Sequence, residues 1–206
     1  WVHHKTGSVT RIPLSAIEHA ATPQPVVGEA VDLGLSVKWA SHNVGAASPE
    51  QYGEYYAWGE TKEKADYSTY TYAHYNSDEN SYIHIGDEIS GTPYDVARVK
   101  WGGAWRMPTV DEMEELFNKC TWEWTTYKGV NGQLVTGPNG NSIFLPAAGF
   151  RWGEKLFYAG SIGNYLSGTL YTPGDDNACS ISFNSGFKTR NYSARNYGPA
   201  IRPVTE

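Results

Sequence analysis

The sequence predicts an α+β domain of two short helices and irregular antiparallel sheets, with an N-terminal β-hairpin extension in front of it. Three observations lead there. Glycine and proline are abundant, at 22 and 11 of 206 residues, while charged residues make up only 18%, so long helices and coiled coils are disfavoured. Thr109-Val110-Asp111-Glu112 is a capping box, and Val110, Met113, Leu116 and Phe117 follow on one helical face. After it, alternating stretches separated by glycine turns read as a meander.

Taken in order, residues 1–27 read as the extension: a strand near Trp1–His4, a turn at Lys5-Thr6-Gly7 and a second strand at Val9–Ile12. A helical turn follows around Ser15–His19, and Thr22-Pro23-Gln24-Pro25 serves as a linker because each proline favours extended backbone. Residues 28–206 form the main domain, a size that one core can serve at roughly 100–200 residues per domain. Ser48-Pro49-Glu50-Gln51 starts a helical turn that Gly53 cuts short, and Tyr55–Trp58 reads as a strand. The stretch 61–92 is polar and rich in tyrosine, including Tyr67, Tyr70, Tyr72, Tyr75 and Tyr82. It exceeds the ~12–15 residues usual for a loop within compact domains, so it reads as either disordered or used for recognition. A short helix is expected at Tyr94–Lys100 and the capped one from Thr109. The meander is read as Thr121–Tyr127, Gln133–Thr136 and Ser142–Leu145. Short strands at Leu170–Thr172, Ala178–Phe183 and Ala200–Val204 complete the domain, joined by loops rich in Gly, Asn and Ser.

Charge excludes whole classes of partner. With 16 basic against 22 acidic residues and a net charge of -6, the chain has the wrong sign to hold nucleic acid or an anionic membrane. The most apolar run, Phe144–Phe150, is far shorter than the ~20 residues of a transmembrane helix. Cys120 and Cys179 lack metal or dithiol spacing and leave a disulfide or two thiols as alternatives. The histidines show no helical i,i+4 pairing, and His3 and His4 are adjacent on a strand, pointing apart. Neither metal nor cofactor is expected. The chain opens at Trp1 rather than Met, and removal of a signal peptide is the expectation.

Carboxylates near aromatics, Glu54 and Glu60 by Trp58 and Asp87 and Asp95 by Tyr94, raise glycoside hydrolysis as an alternative, since that chemistry needs two acids about 5–10 Å apart. Glu60 is better explained as accepting from backbone donors at a turn. Recognition is the stronger reading. Between Asn184 and Val204 lie Lys188, Arg190, Arg195 and Arg202 with no acidic residue, a local +4 within a chain of net -6. Asn191, Tyr192, Asn196 and Tyr197 are interleaved with these cations and offer flat apolar faces beside amide donors and acceptors. Together with Trp152, expected as an exposed platform, and Tyr70, Tyr72 and Tyr75 of the long loop, they form the expected ligand-binding set. Both segments should approach one face. Arg202 is read instead as a structural residue bridging buried carbonyls or a carboxylate.

The order of motifs resembles one family. Glu29–Ala40, Asn43–Ala46, Tyr55–Thr61 with Trp58-Gly59-Glu60-Thr61, Ile89–Thr92, Trp101–Thr109, Asn139–Gly149 and Ile201–Val204 resemble the Fibrobacter succinogenes major paralogous domain family of secreted and surface proteins in gut Bacteroidetes. The N-terminal Val2–Ile17 is similar to a hairpin segment found near the start of such proteins. The resemblance implies a C-type-lectin-like fold, export, and a distant likeness to formylglycine-generating enzymes through Arg106-Met107-Pro108-Thr109. That oxidase chemistry needs two reactive cysteines, and Cys179 stands alone on a strand. The triplets with which calcium-dependent lectins hold calcium and sugar do not occur, since Gly137-Pro138-Asn139-Gly140 lacks the acid. His42 stands where family members often have Cys, and Leu166 where they often have Trp. What remains is a secreted or surface-attached binding module for an extracellular glycan or protein. Carbohydrate processing, or a structural role in a surface assembly, stands as the alternative.

Overall fold

The computed structural model describes residues 26–206. The hairpin, helical turn and linker expected before Val26 lie outside these residues. What is described is a mixed α+β domain, mostly small antiparallel sheets with two short helices.

The strands are β1 (Ala30–Val31), β2 (Lys38–Ala40), β3 (Tyr75–Asn76), β4 (Ser81–Tyr82), β5 (Thr121–Tyr127), β6 (Val130–Thr136), β7 (Ser142–Pro146), β8 (Phe150–Trp152), β9 (Lys155–Phe157), β10 (Gly163–Leu170), β11 (Asn177–Phe183), β12 (Lys188–Ala194), β13 (Gly198–Pro199) and β14 (Val204–Thr205). The helices are α1 (Val96–Trp101) and α2 (Val110–Lys119). β2 sits between β1 and β14, so the first and last described strands close one sheet. β5-β6-β7 is the expected meander, with its first turn tightened to Lys128-Gly129, where both residues take positive φ. β10-β11-β12 is a second meander, and β8 lies between β9 and β13.

Both helices begin as their sequences require. Asp95 accepts from the Ala97 and Arg98 amides at the start of α1. Thr109 and Glu112 exchange side-chain and backbone bonds in a complete capping box at the start of α2. α2 buries Met113 and Leu116 against β10 and β11, where Tyr165, Ile181 and Phe183 meet it in the larger core. A second core gathers Tyr56, Trp58, Ile89, Val96, Trp101 and Met107 around Leu166, Leu170 and Ile201.

Several expectations are corrected. Tyr55–Trp58 is buried but joins no ladder; its amides reach single carbonyls, Tyr56 N to Pro199 O and Trp58 N to Arg195 O. The stretch 61–92 is anchored rather than open, because Tyr67, Tyr72 and Ile89 are buried in it and β3 and β4 pair within it. Lys188–Ala194 is a strand of seven residues paired along its length with β11, not a loop. Ala200–Val204 is largely irregular, with only its end in β14. Cys120 and Cys179 are both free thiols, and burial raises the pKa of each.

Candidate functional site

The C-terminal segment 188–199 reaches the stretch 61–92 through Arg195 and Asn196 and Trp152 through Tyr197, and burial divides its residues sharply. Four of the expected ligand-binding residues are withdrawn from solvent. Arg195 is 0% exposed: Nε donates to the Tyr72 hydroxyl (3.1 Å), Nη1 to Asp175 O (2.9 Å) and Nη2 to Ile83 O (2.8 Å). Its guanidinium lies over the rings of Trp58, Tyr72 and Tyr82, 4.9–5.5 Å from their centroids. Tyr72 is buried with it, its hydroxyl donating to Trp58 O at 2.6 Å. Asn196 is buried because its amide donates to Tyr67 O at 2.7 Å. Lys188 is half-buried, with Nζ donating to Phe117 O at 2.7 Å over the Phe117 and Trp122 rings, where it satisfies a carbonyl in the last turn of α2.

The basic character of this segment is therefore largely internal. Arg202 is also fully buried, donating to Asn43 Oδ1, Ala40 O and Phe144 O, so it bridges carbonyls as its motif suggested. Of the four cations only Arg190 stands in solvent, and it is held by Glu114 (3.5 Å) and Asn118 (3.2 Å). Segments 61–92 and 184–204 do meet, but at Arg195, beneath the surface.

Three aromatic groups remain outside. Tyr192, 53% exposed, stacks on Tyr171 with centroids 4.6 Å apart and planes at 14°. Beside this pair a small pocket of about 200 Å³ is lined by Val110, Met113, Cys179, Arg190 and Asn191. Asn191 itself is exposed, with its amide donating to Ser182 Oγ. Tyr70 is exposed and meets half-buried Tyr75 edge-on at 6.2 Å, while the Tyr75 hydroxyl donates to Asn80.

The third group is the largest. β8 and β9 form a hairpin through Gly153-Glu154, and their register puts Phe150, Trp152, Lys155 and Phe157 on one face. Tyr197 lies flat against Phe150 (5.5 Å, 8°) and 5.7 Å from Trp152, and Phe157 flanks Trp152 at 5.7 Å. Tyr158 closes the far side against Phe150 and Phe157. Trp152 and Tyr158 stay 51% and 56% exposed. Trp152 and Tyr197 are thus brought together as expected, whereas Phe150, Phe157 and Tyr158 were missed. The alternation of Phe150-Arg151-Trp152, a two-residue turn and Lys155-Leu156-Phe157 is the hairpin signal that could have found them.

The acids weighed for hydrolysis are each engaged in local structure. Asp95 accepts from the Gly91, Ala97, Arg98 and Met107 amides, and burial still pushes its carboxyl above the usual range. Glu60 accepts from Ala73 N and Lys64 Nζ, which gives it the turn role expected. Glu54 accepts from the Tyr56 hydroxyl and Lys100, and Asp87 stands in solvent near His84. Among the described residues no helix is long and apolar enough to cross a membrane. Comparison with family models, curated proteins and solved structures returned no match.

Proposed function

We propose that this chain is a non-enzymatic binding module, secreted or displayed at a cell surface, that holds an extracellular glycan or protein on its exposed aromatic edge. We place it in the Fibrobacter succinogenes major paralogous domain family with a C-type-lectin-like scaffold. One observation carries the reading: Trp152 and Tyr158 are half-exposed on a hairpin whose other aromatics fix them in place. Large apolar side chains clustered in solvent on an ordered element mark an interaction surface.

The division between motif and surface supports it. Trp39, Asn43, Trp58, Met107 and Arg202 belong to the motifs that resemble the family, and all are buried. Tyr70, Trp152, Tyr158 and Tyr192 fall outside those motifs and are exposed. Engagement of Glu54, Glu60 and Asp95 in local structure favours binding over hydrolysis.

The test is a glycan-array and extracellular-protein screen with the 206-residue chain, run beside turnover of labelled polysaccharides. The expected result is a ligand that the Trp152→Ala, Tyr158→Ala double variant loses and that the chain does not cleave. Retention of that ligand by this variant would refute the site, and turnover would refute the non-enzymatic reading.

A further inference from the structure

The hairpin edge is built like a shelf, and its size and chemistry narrow what can rest on it. At roughly 200 Å² for a whole aromatic side chain, half-exposed Trp152 and Tyr158 with the rims of Phe157 and Tyr197 offer on the order of 200–300 Å². A stable protein interface needs about 800 Å² from each partner, so the shelf alone is too small for one. It does match one or two sugar rings.

The shelf is also ordered in advance. Tyr158 holds a positive φ of 57°, with its carbonyl accepting from Ser161 N, Ile162 N and Ser161 Oγ. The turn end is fixed by Tyr67 N donating to Gly153 O at 2.8 Å, and Tyr67 O is in turn held by buried Asn196. A ligand that lands here does not have to order the rings first, which lowers the cost of association.

The rim selects by charge. Glu154 in the turn and Lys155 across from Trp152 are both exposed, and neither forms an ion pair among the described residues. One anion and one cation side by side favour no net-charged ligand, yet they offer acceptors and donors to hydroxyl groups. A neutral hexopyranose combines both requirements: its C–H face presents positive edges to the negative ring face, and its equatorial hydroxyls reach the rim.

We propose that the shelf of Trp152, Tyr158, Phe157 and Tyr197 binds a neutral hexopyranose chain by stacking one sugar ring on Trp152, with Glu154 and Lys155 hydrogen-bonding its hydroxyls. This rests on the binding-module reading and names its ligand class.

Calorimetric titration of the 206-residue chain with cellotetraose and chitotetraose, with polygalacturonate as the charged arm, tests it. At least one neutral tetrasaccharide should bind. Trp152→Ala should weaken that binding at least about tenfold, about 1.4 kcal/mol, Trp152→Phe should keep most of it, and Tyr192→Ala should leave it unchanged. Circular dichroism should show W152A folded like the parent. Equal affinity in W152A overturns the inference. So does binding of polygalacturonate alone, or failure of both neutral sugars while a protein ligand emerges from the screen; in those cases the binding-module reading survives. No ligand in any arm overturns both.

Discussion

Arg195 is the residue on which segments 61–92 and 184–204 converge, and none of its three hydrogen bonds goes to a carboxylate. The guanidinium tolerates this because it is weakly hydrated and presents five donors in a rigid fork, here shared among two carbonyls and one phenol. Ring faces of Trp58, Tyr72 and Tyr82 supply the remaining compensation. Arg202 uses the same solution with two carbonyls and Asn43, and burial pushes its pKa down to about 10, which still leaves it cationic at neutral pH. Replacing Arg195 by Met keeps most of the volume but strands the Ile83 and Asp175 carbonyls. Hydrogen bonds made by a charged group contribute about 1.5–3 kcal/mol each, so R195M is expected to lower the unfolding free energy by about 3 kcal/mol in urea titration. Were Arg195 a ligand contact, the substitution would leave stability within about 0.5 kcal/mol, the range of ordinary surface changes.

Elements whose causes are local were legible in the sequence, and those with distant causes were not. The capping box fixed the start of α2, and the caps and alternation around Thr121–Leu145 gave the meander. Strand β12 was hidden because its Asn, Ser and Thr content resembles a loop. Its pairing depends on β11, whose Ile181 and Phe183 are committed to the core under α2. The exposed platform at Trp152 was legible from the turn beside it. Its partner Tyr158 was not, since a left-handed backbone at tyrosine is set by the carbonyl it must present to Ser161 and Ile162. Two element-level predictions follow from contacts of this kind. A Cβ on Gly198 would sit 2.5 Å from the ring of Tyr67, the residue whose backbone amide anchors the β8–β9 turn, so Gly198→Ala should cost about 1–3 kcal/mol by overpacking. It should also raise proteolytic cleavage at the Gly153-Glu154 turn, and unchanged cleavage would separate the hairpin from Tyr67. At the start of α2, burial would raise the Glu112 carboxyl pKa, but hydrogen bonds from Arg106 and the Thr109 amide outweigh it, and the net shift is downward. A depressed folded pKa gives stability that is present above about pH 4.5 and lost as pH falls through the lower folded value. The parent should therefore lose stability below about pH 4.5 more steeply than Glu112→Gln, read from urea midpoints across that range; equal slopes would remove Glu112 from the acid response.

At the scale of the molecule, the many small sheets are tied together less by shared strands than by tyrosines whose hydroxyls reach carbonyls of other segments. Tyr55 donates to Ala148 O, Tyr67 to Tyr55 O, Tyr72 to Trp58 O and Tyr165 to Pro146 O, each at 2.6–2.9 Å and each with its ring buried. Four of the fifteen tyrosines thus serve as cross-links through the interior. Burial raises the pKa of all four, taking Tyr67 and Tyr165 to about 12 and Tyr55 and Tyr72 further. In the unfolded chain they would ionise near pH 10. Because the folded values lie above the unfolded ones, their stabilising contribution is complete below about pH 10 and drains away as pH rises toward 12. Alkaline unfolding should accordingly be cooperative, with a phenolate absorbance step that coincides with loss of the far-ultraviolet circular dichroism signal. Tyr165→Phe removes one of the four ionisations, so although less stable at neutral pH it should lose stability less steeply between about pH 10 and 12. If the full phenolate absorbance developed while the dichroism stayed native, the tyrosine cross-links would not be what couples the sheets.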